Sequence, residues 1–243
     1  MGRHSRLIVP EVALHVRQRG NNRQNTFRHD NDRLVYLSML RECSRHRRCA
    51  VHAYCLMTNH VHLLLTASES EGCALLMRDL GRAYATYFNR RYGMSGALWQ
   101  HPFRSCLVES ADYVIACYRY IERNPVRARM VESPDAYPWS SYSGNAGIRI
   151  DELLTPHPEY LALGLERRTR LRAYGELVAG DDETEFVSQL REATDCGYAL
   201  AGERLKAELE KDGARLGRAK AGRPAQRNAA AEREPGQLVL LTE

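Results

Sequence analysis

Two histidines, His60 and His62, stand two residues apart at the head of the apolar run Leu63-Leu64-Leu65. On a β-strand that spacing turns both imidazoles to one face, with Cβ atoms roughly 6.6 Å apart, within reach of a single cation. Two imidazoles do not complete the shell of a divalent ion, so a third arm is needed. A helical stretch downstream offers one. Tyr113, Cys117, Tyr120 and Asn124 follow one another at spacings of four, three and four, which holds them on one stripe. Tyr118 lies about 200° from Tyr120 around that axis, so the two cannot serve one site and the geometry selects Tyr120.

A tyrosine beside a cation is a possible nucleophile toward phosphorus: its free pKa is about 10, and its attack leaves a covalent ester. A metal held by His60, His62 and the amide oxygen of Asn124 would polarise and orient the scissile phosphate, and Mg²⁺ or Mn²⁺ suits that role. Each residue also has an ordinary use. An H-x-H on a strand can be packing, Tyr120 a core aromatic, and Asn124 before Pro125 a helix stop. Their combination is what points to chemistry.

These residues need elements to position them. Ala13 to Arg19 alternates and ends at Gly20-Asn21-Asn22, as a strand entering a loop does. Asn31 or Asp32 can cap a helix to about Arg48, with Leu34, Leu37 or Tyr36, Leu40 and Cys43 as its apolar stripe. Ala50 to Met57 and His60 to Thr66, separated by Thr58-Asn59, read as a β-hairpin. A second helix is expected from Gly72 to Arg91, a short strand within Trp99 to Glu109, and a third helix from Ala111 to Asn124 before Pro125. The order is that of an α+β, ferredoxin-like antiparallel sheet with helices packed on one face. Pro138 and the Gly144 to Gly147 stretch close this unit, giving a domain over 1–147. A helical extension is expected over 148–211, with Leu161, Leu165, Leu171, Leu177, Val187 and Leu190 as packing residues. Residues 212–243, rich in Gly, Ala, Arg, Pro and Glu, read as a disordered charged tail.

The net charge of +5 is unevenly spread. Residues 1–145 carry 20 Arg against 12 Asp and Glu (+8), whereas 146–243 carry 15 basic and 18 acidic residues (−3). All three lysines follow residue 200, so the basic face of the first part is arginine, whose planar fork suits phosphate and base stacking. Seven cysteines without a C-x-x-C pair imply neither a disulfide framework nor a zinc ribbon. No apolar leader or stretch of 18 apolar residues is present, so a cytoplasmic, nucleoid-associated protein without membrane contact is expected.

Taken together the motifs resemble a known family. Ala13-Leu14-His15-Val16 with Arg19-Gly20-Asn21, His52 to Leu64, Leu98-Trp99-Gln100 with Phe103-Arg104-Ser105, Arg119-Tyr120-Ile121 with Asn124 to Ala128, and Tyr137 to Tyr142 look like the HUH single-strand transposases, most closely the REP-associated tyrosine transposases. The resemblance spans about residues 5 to 145. It implies that His60 and His62 bind metal, that Tyr120 is the nucleophile, and that Asn124 helps hold the ion. It further implies cleavage of single-stranded DNA near hairpins through a 5′-phosphotyrosine, with no nucleotide cofactor. Pro102 and Arg129 stand where the family often has glycine. Relaxase and replication-initiator relatives usually add a third histidine near this strand, and Leu63 to Thr66 contains none. An H-E-x-x-H run, a glycine-rich phosphate loop and a two-metal acidic cluster are also missing from the sequence.

Single strands are held by a positive groove with aromatic platforms. Arg17, Arg19 and Arg23 follow the first strand, Trp99, Phe103 and Arg104 precede the nucleophile helix, and Arg127 follows it; DNA is expected across these. Arg218, Lys220, Arg223 and Arg227 of the tail could enter a minor groove. The leading reading is a metal-dependent tyrosine transposase, monomer or homodimer. Its rivals are a domesticated hairpin-binding protein that no longer cuts, and a metal-binding scaffold for protein partners.

Overall fold

The computed structural model describes residues 8–100, 102–180 and 184–211; the tail from 212 on, with its basic residues, lies outside the described residues. Four strands form one antiparallel sheet in the order β2-β3-β1-β4: β1 (Ala13–Arg19), β2 (Cys49–Leu56), β3 (His60–Ala67) and β4 (Arg104–Val108). Between them run α1 (Asp30–His46) and α2 (Gly72–Tyr92), which completes the β-α-β-β-α-β order of the ferredoxin-like class. Local chemistry fixes the helix ends. Asp32 Oδ2 accepts from the backbone N–H groups of Arg28 (2.9 Å) and His29 (3.0 Å), closing the start of α1. At the other end of the pair, Gly93 takes the left-handed conformation (φ 61°) that terminates α2.

Side-chain parity divides the sheet into two faces. Leu14, Val16, Val61, Leu63, Leu65 and Leu107 point toward α1 and α2, where Tyr36, Leu40, Leu80, Tyr84 and Phe88 complete a buried core. Ala13, Ala53, Cys55, Leu64, Cys106 and Val108 point the other way. That second face is covered too, by α3 (Ala111–Glu122) and by α8 (Thr184–Cys196) from the C-terminal part. The expected packing of helices on one face holds for α1 and α2, and the other face is covered as well, because strands that are apolar at both parities leave neither face able to meet water.

Two sequence expectations change. The third helix ends at Glu122, and Asn124–Arg127 (α4) forms a separate turn after a break at Arg123 (φ −85°, ψ 0°). Pro125 fits there because a first-turn residue needs no N–H partner. Further on, α5 (Tyr142–Asn145), α6 (Pro158–Ala162) and α7 (Arg167–Ala179) lead to α8, and α9 (Glu203–Lys211) follows it. Leu161 and Leu165 do not pack, being 43 % and 102 % exposed; Tyr160, Tyr174 and Val178 do so instead, beside Val187 and Leu190, which are buried as expected. Residues of the extension also pack on the sheet and reach both of its edges: Thr155 N–H donates to Val51 O (2.8 Å) along β2 and Leu200 N–H to Leu107 O (2.8 Å) along β4, while Trp139, from before the extension, accepts from Leu56 N–H (2.9 Å).

Candidate active site

Register assembles the site on the α3 face. On β1 and β3 the cross-strand partners are Arg19 with His60 and Arg17 with His62, and on β4 Arg104 pairs with Arg17. His60, His62, Arg17, Arg19 and Arg104 thus share one end of one face. The His60 and His62 rings lie 5.0 Å apart between centroids at 79°. From the helix above, the Tyr120 ring stands edge-on to His62 at 5.6 Å, and equally to His15 of β1 at 5.6 Å. Tyr118 turns away as its helical angle requires, fully buried against Tyr160 and Tyr174.

Burial keeps the imidazoles neutral. His62 is held well below the ordinary histidine range by burial, then by its neighbours His60, His15, Arg17 and Arg127. Burial with Arg19 and Arg17 brings His60 down to about 4, and burial with Arg17 brings His15 down to about 3. Neutral rings offer lone pairs at neutral pH, as a metal ligand must. Asn124, buried at the start of α4, has an amide nitrogen without a hydrogen-bond partner, so its amide can turn its oxygen to a cation. Among the described residues no group of three or more His, Cys, Asp or Glu could hold a metal ion. The donors at hand are therefore two imidazoles and an amide, which suit a cation that fills its other positions with phosphate oxygens and water.

Positive charge gathers at Tyr120. The Arg127 guanidinium lies 4.4 Å from the centre of its ring and donates to its carbonyl oxygen at 2.6 Å. Arg19, lowered by burial and by Arg17 and Arg23, feels the Tyr120 hydroxyl, and its buried Nε meets no partner. Arg23 is exposed in the turn after β1, in a left-handed conformation (φ 58°). Arg17 and Arg104 both reach the end of α8, Arg17 as an ion pair with the Asp195 carboxylate and Arg104 as a donor to its backbone oxygen.

The aromatic platforms expected for DNA are elsewhere. Phe103 is 6 % exposed and belongs to the core beneath α1 and α2. Trp99 packs on Tyr36 and Tyr84 and donates its indole N–H to Gly81 O at 3.0 Å. Both side chains pack on the α1 and α2 side of the sheet, on the face opposite His60 and His62.

Three residues of the site carried no assignment from the sequence. His15 Nε2 meets His62 Nδ1 at 2.8 Å with the rings nearly coplanar (7°), and His15 Nδ1 meets Thr194 Oγ1 of α8 at 2.7 Å. Asn59 Oδ1 meets His60 Nδ1 at 2.8 Å. The parity of His15 with Arg17 and Arg19 was a usable signal; nothing local marks Thr194. Glu122, on the opposite side of α3 from Tyr120, anchors the helix: Ser141 Oγ donates to it at 2.5 Å and Asn145 Nδ2 at 2.8 Å, with the Tyr174 hydroxyl also donating, and burial pushes its carboxyl up to about 7.

Comparisons with known proteins bear on the family and the fold. The family described as "Transposase IS200 like" matches residues 8–124, from just before β1 to Asn124. Among solved structures, a REP-associated tyrosine transposase bound to a REP hairpin superposes with a TM-score of 0.51 at 15 % identity, covering 65 % of this chain and 93 % of that one. A putative transposase from Deinococcus radiodurans R1 gives a TM-score of 0.36 at 18 % identity, over 53 % of this chain and 92 % of that one. No curated protein matches the sequence. The stretch similar to the IS200-like transposases, residues 8–124, thus holds His60, His62, Tyr120 and Asn124, and its fold is that of the REP-associated tyrosine transposase.

Proposed function

We propose that this chain is a divalent-metal-dependent tyrosine transposase that cuts and rejoins single-stranded DNA near hairpin repeats through a 5′-phosphotyrosine. The observation that carries this reading is the Tyr120 ring set against His62, with neutral His60 beside it. His60, His62 and Asn124 would hold Mg²⁺ or Mn²⁺, and a bound ion would neutralise and orient the scissile phosphate. Tyr120 Oη attacks phosphorus, the P–O3′ bond breaks, the hydroxyl proton leaves to solvent and the departing O3′ takes one up. The products are a 3′-OH and a DNA 5′ end esterified to Tyr120. Attack by a 3′-OH from another end reverses the step and regenerates the tyrosine, so no nucleotide cofactor is consumed. Arg127 and Arg19 supply fixed positive charge where the phosphate gathers negative charge. The REP hairpin bound to the structural neighbour supports hairpin-forming DNA as the partner.

The decisive test is a 3′-labelled hairpin oligonucleotide incubated with the protein and Mg²⁺ or Mn²⁺, then resolved by denaturing gel. A labelled protein adduct is expected, absent in Tyr120→Phe and without metal; an adduct that survives in Tyr120→Phe assigns the nucleophile elsewhere. A second reading has its own observation: Tyr120 is only 4 % exposed, as a residue in a hairpin-binding protein that no longer cuts would be. Tight hairpin binding without adduct under either metal would establish it.

A further inference from the structure

We propose that Thr194 and His15 form a relay that locks His62 in the tautomer whose Nε2 lone pair is free for a cation, which makes helix α8 part of the active site. This rests on the reading of His60 and His62 as metal ligands. It extends that reading beyond residues 8–124, because Thr194 lies 70 residues past the matched segment.

Hydrogen-bond direction can be traced through the relay from one end. Thr194 has one hydroxyl proton, and its Oγ1 lies 2.7 Å from Leu190 O, which can only accept. Thr194 Oγ1 must then accept from His15 Nδ1 at 2.7 Å. Cys106, 3.3 Å from the same oxygen, is a donor to it as well. His15 is buried (1 % exposed) among β1, β3, β4 and α8, its two ring nitrogens facing Thr194 and His62 and neither facing a carboxylate, so it carries one ring proton and that proton is on Nδ1. Its Nε2 therefore accepts, and the proton between the two rings belongs to His62 Nδ1. His62 Nε2 is left with its lone pair exposed to the site.

The second histidine is locked by the same logic through other residues. Asn59 Nδ2 donates to Arg23 O at 3.0 Å, which fixes the amide so that Oδ1 faces His60. His60 Nδ1 then donates to Asn59 Oδ1 at 2.8 Å, and its Nε2 is free. Two independent networks thus deliver the same outcome at the two histidines, whereas a merely packed pair needs no shared tautomer. Oriented partners of this kind set ring direction and basicity in metal sites.

The experiment uses the full chain with ¹⁵N-labelled histidine. Long-range ¹H–¹⁵N correlation on the metal-free protein should show His62 protonated at Nδ1 and bare at Nε2. In Thr194→Val the oxygen acceptor is gone and His62 should lose this single tautomer, with Mn²⁺ affinity by calorimetry falling about 10- to 100-fold. Thr194→Ser should restore both, while circular dichroism confirms folding throughout. A wild-type His62 carrying its proton on Nε2 overturns the relay, and so does Thr194→Val with unchanged tautomer and affinity. Should Thr194→Val fail to fold, the wild-type spectrum decides alone. Wild-type protein with the expected tautomer and no Mn²⁺ binding would refute the metal reading and leave the relay standing.

Discussion

The two faces of the sheet are built from the same four strands and lead opposite lives. Under α1 and α2 the contacts are apolar and aromatic, with Phe27, Tyr36, Tyr84 and Phe88 meeting at ring separations of 5.0 to 6.4 Å. Beneath α3 and α8 the same parity rule buries His15, His62, Cys106 and Thr194, joined by hydrogen bonds. One face supplies stability by removing apolar surface from water; the other spends buried volume on polar groups that need every partner in place. The contrast teaches that the second face is held by buried hydrogen bonds, and that part of them comes from α8.

The largest expected effect tests that division. Tyr84→Ala removes a fully buried ring and its hydrogen bond to Thr26 O, and should cost about 3–5 kcal/mol in urea denaturation. Tyr120→Phe keeps its ring and should change stability by less than about 1 kcal/mol while abolishing the DNA adduct. If Tyr120→Phe proved as destabilising as Tyr84→Ala, the site face would be doing the structural work of a core.

Acid should reach the site face first. Unfolded histidine titrates near 6.5, whereas His15 is held at about 3 and His52 and His60 at about 4. Between those values the unfolded chain takes up protons that the fold refuses, so stability is full above pH 6.5 and drains as pH falls toward 3. The slope is at most about 1.4 kcal/mol per pH unit for each histidine. Glu122 has the opposite sign: its raised value of about 7 contributes stability below about 4.5 that is lost as pH rises through 7. Unfolding free energies measured from pH 7.5 to 4 should fall less steeply in His15→Gln than in wild type. Equal slopes would place the acid lability in other groups.

Much of this was legible in the sequence, and for physical reasons. The hairpin, both helices of the first face and the opposite facing of Tyr120 and Tyr118 follow from periodicity, which is local. His60 and His62 announce themselves because two imidazoles at strand spacing share a face. What could not be read were contacts made at long range. Thr194 approaches His15 across 179 positions, and Trp99 is drawn to the core beside Phe103 by a bond to Gly81 O, also remote in sequence. Element order suggests helices on one face; what covers the other is not local, since Ala13, Cys55 and Cys106 look neutral until α3 and α8 cover them.

A middle-sized effect joins the faces at Gly20. A Cβ there would stand 2.4 Å from Gln24 O and 2.8 Å from Thr26 Cγ2, backbone and branched side chain that cannot yield. Gly20 N–H also donates to Asn59 O at 2.8 Å, tying β1 to the turn that orients His60. Gly20→Ala should therefore cost about 1–3 kcal/mol and, by shifting Asn59, weaken Mn²⁺ binding as well. A loss of stability with unaltered Mn²⁺ affinity would separate the turn from the His60 arm.

The smallest effect sits past Tyr120, at Arg129, where the resembling family often has glycine. Arg129 adopts φ 57°, the left-handed region that an L side chain occupies at a cost of about 1–2 kcal/mol. Replacing it by glycine relieves that strain but enlarges the freedom of the unfolded chain, which returns about 0.5–1 kcal/mol of the gain. Arg129→Gly should thus raise stability by less than about 1 kcal/mol, read as a small increase in Tm with adduct formation unchanged. A decrease would mean that the arginine side chain makes a contact worth more than its backbone strain, and would extend the basic surface around Tyr120 by one residue.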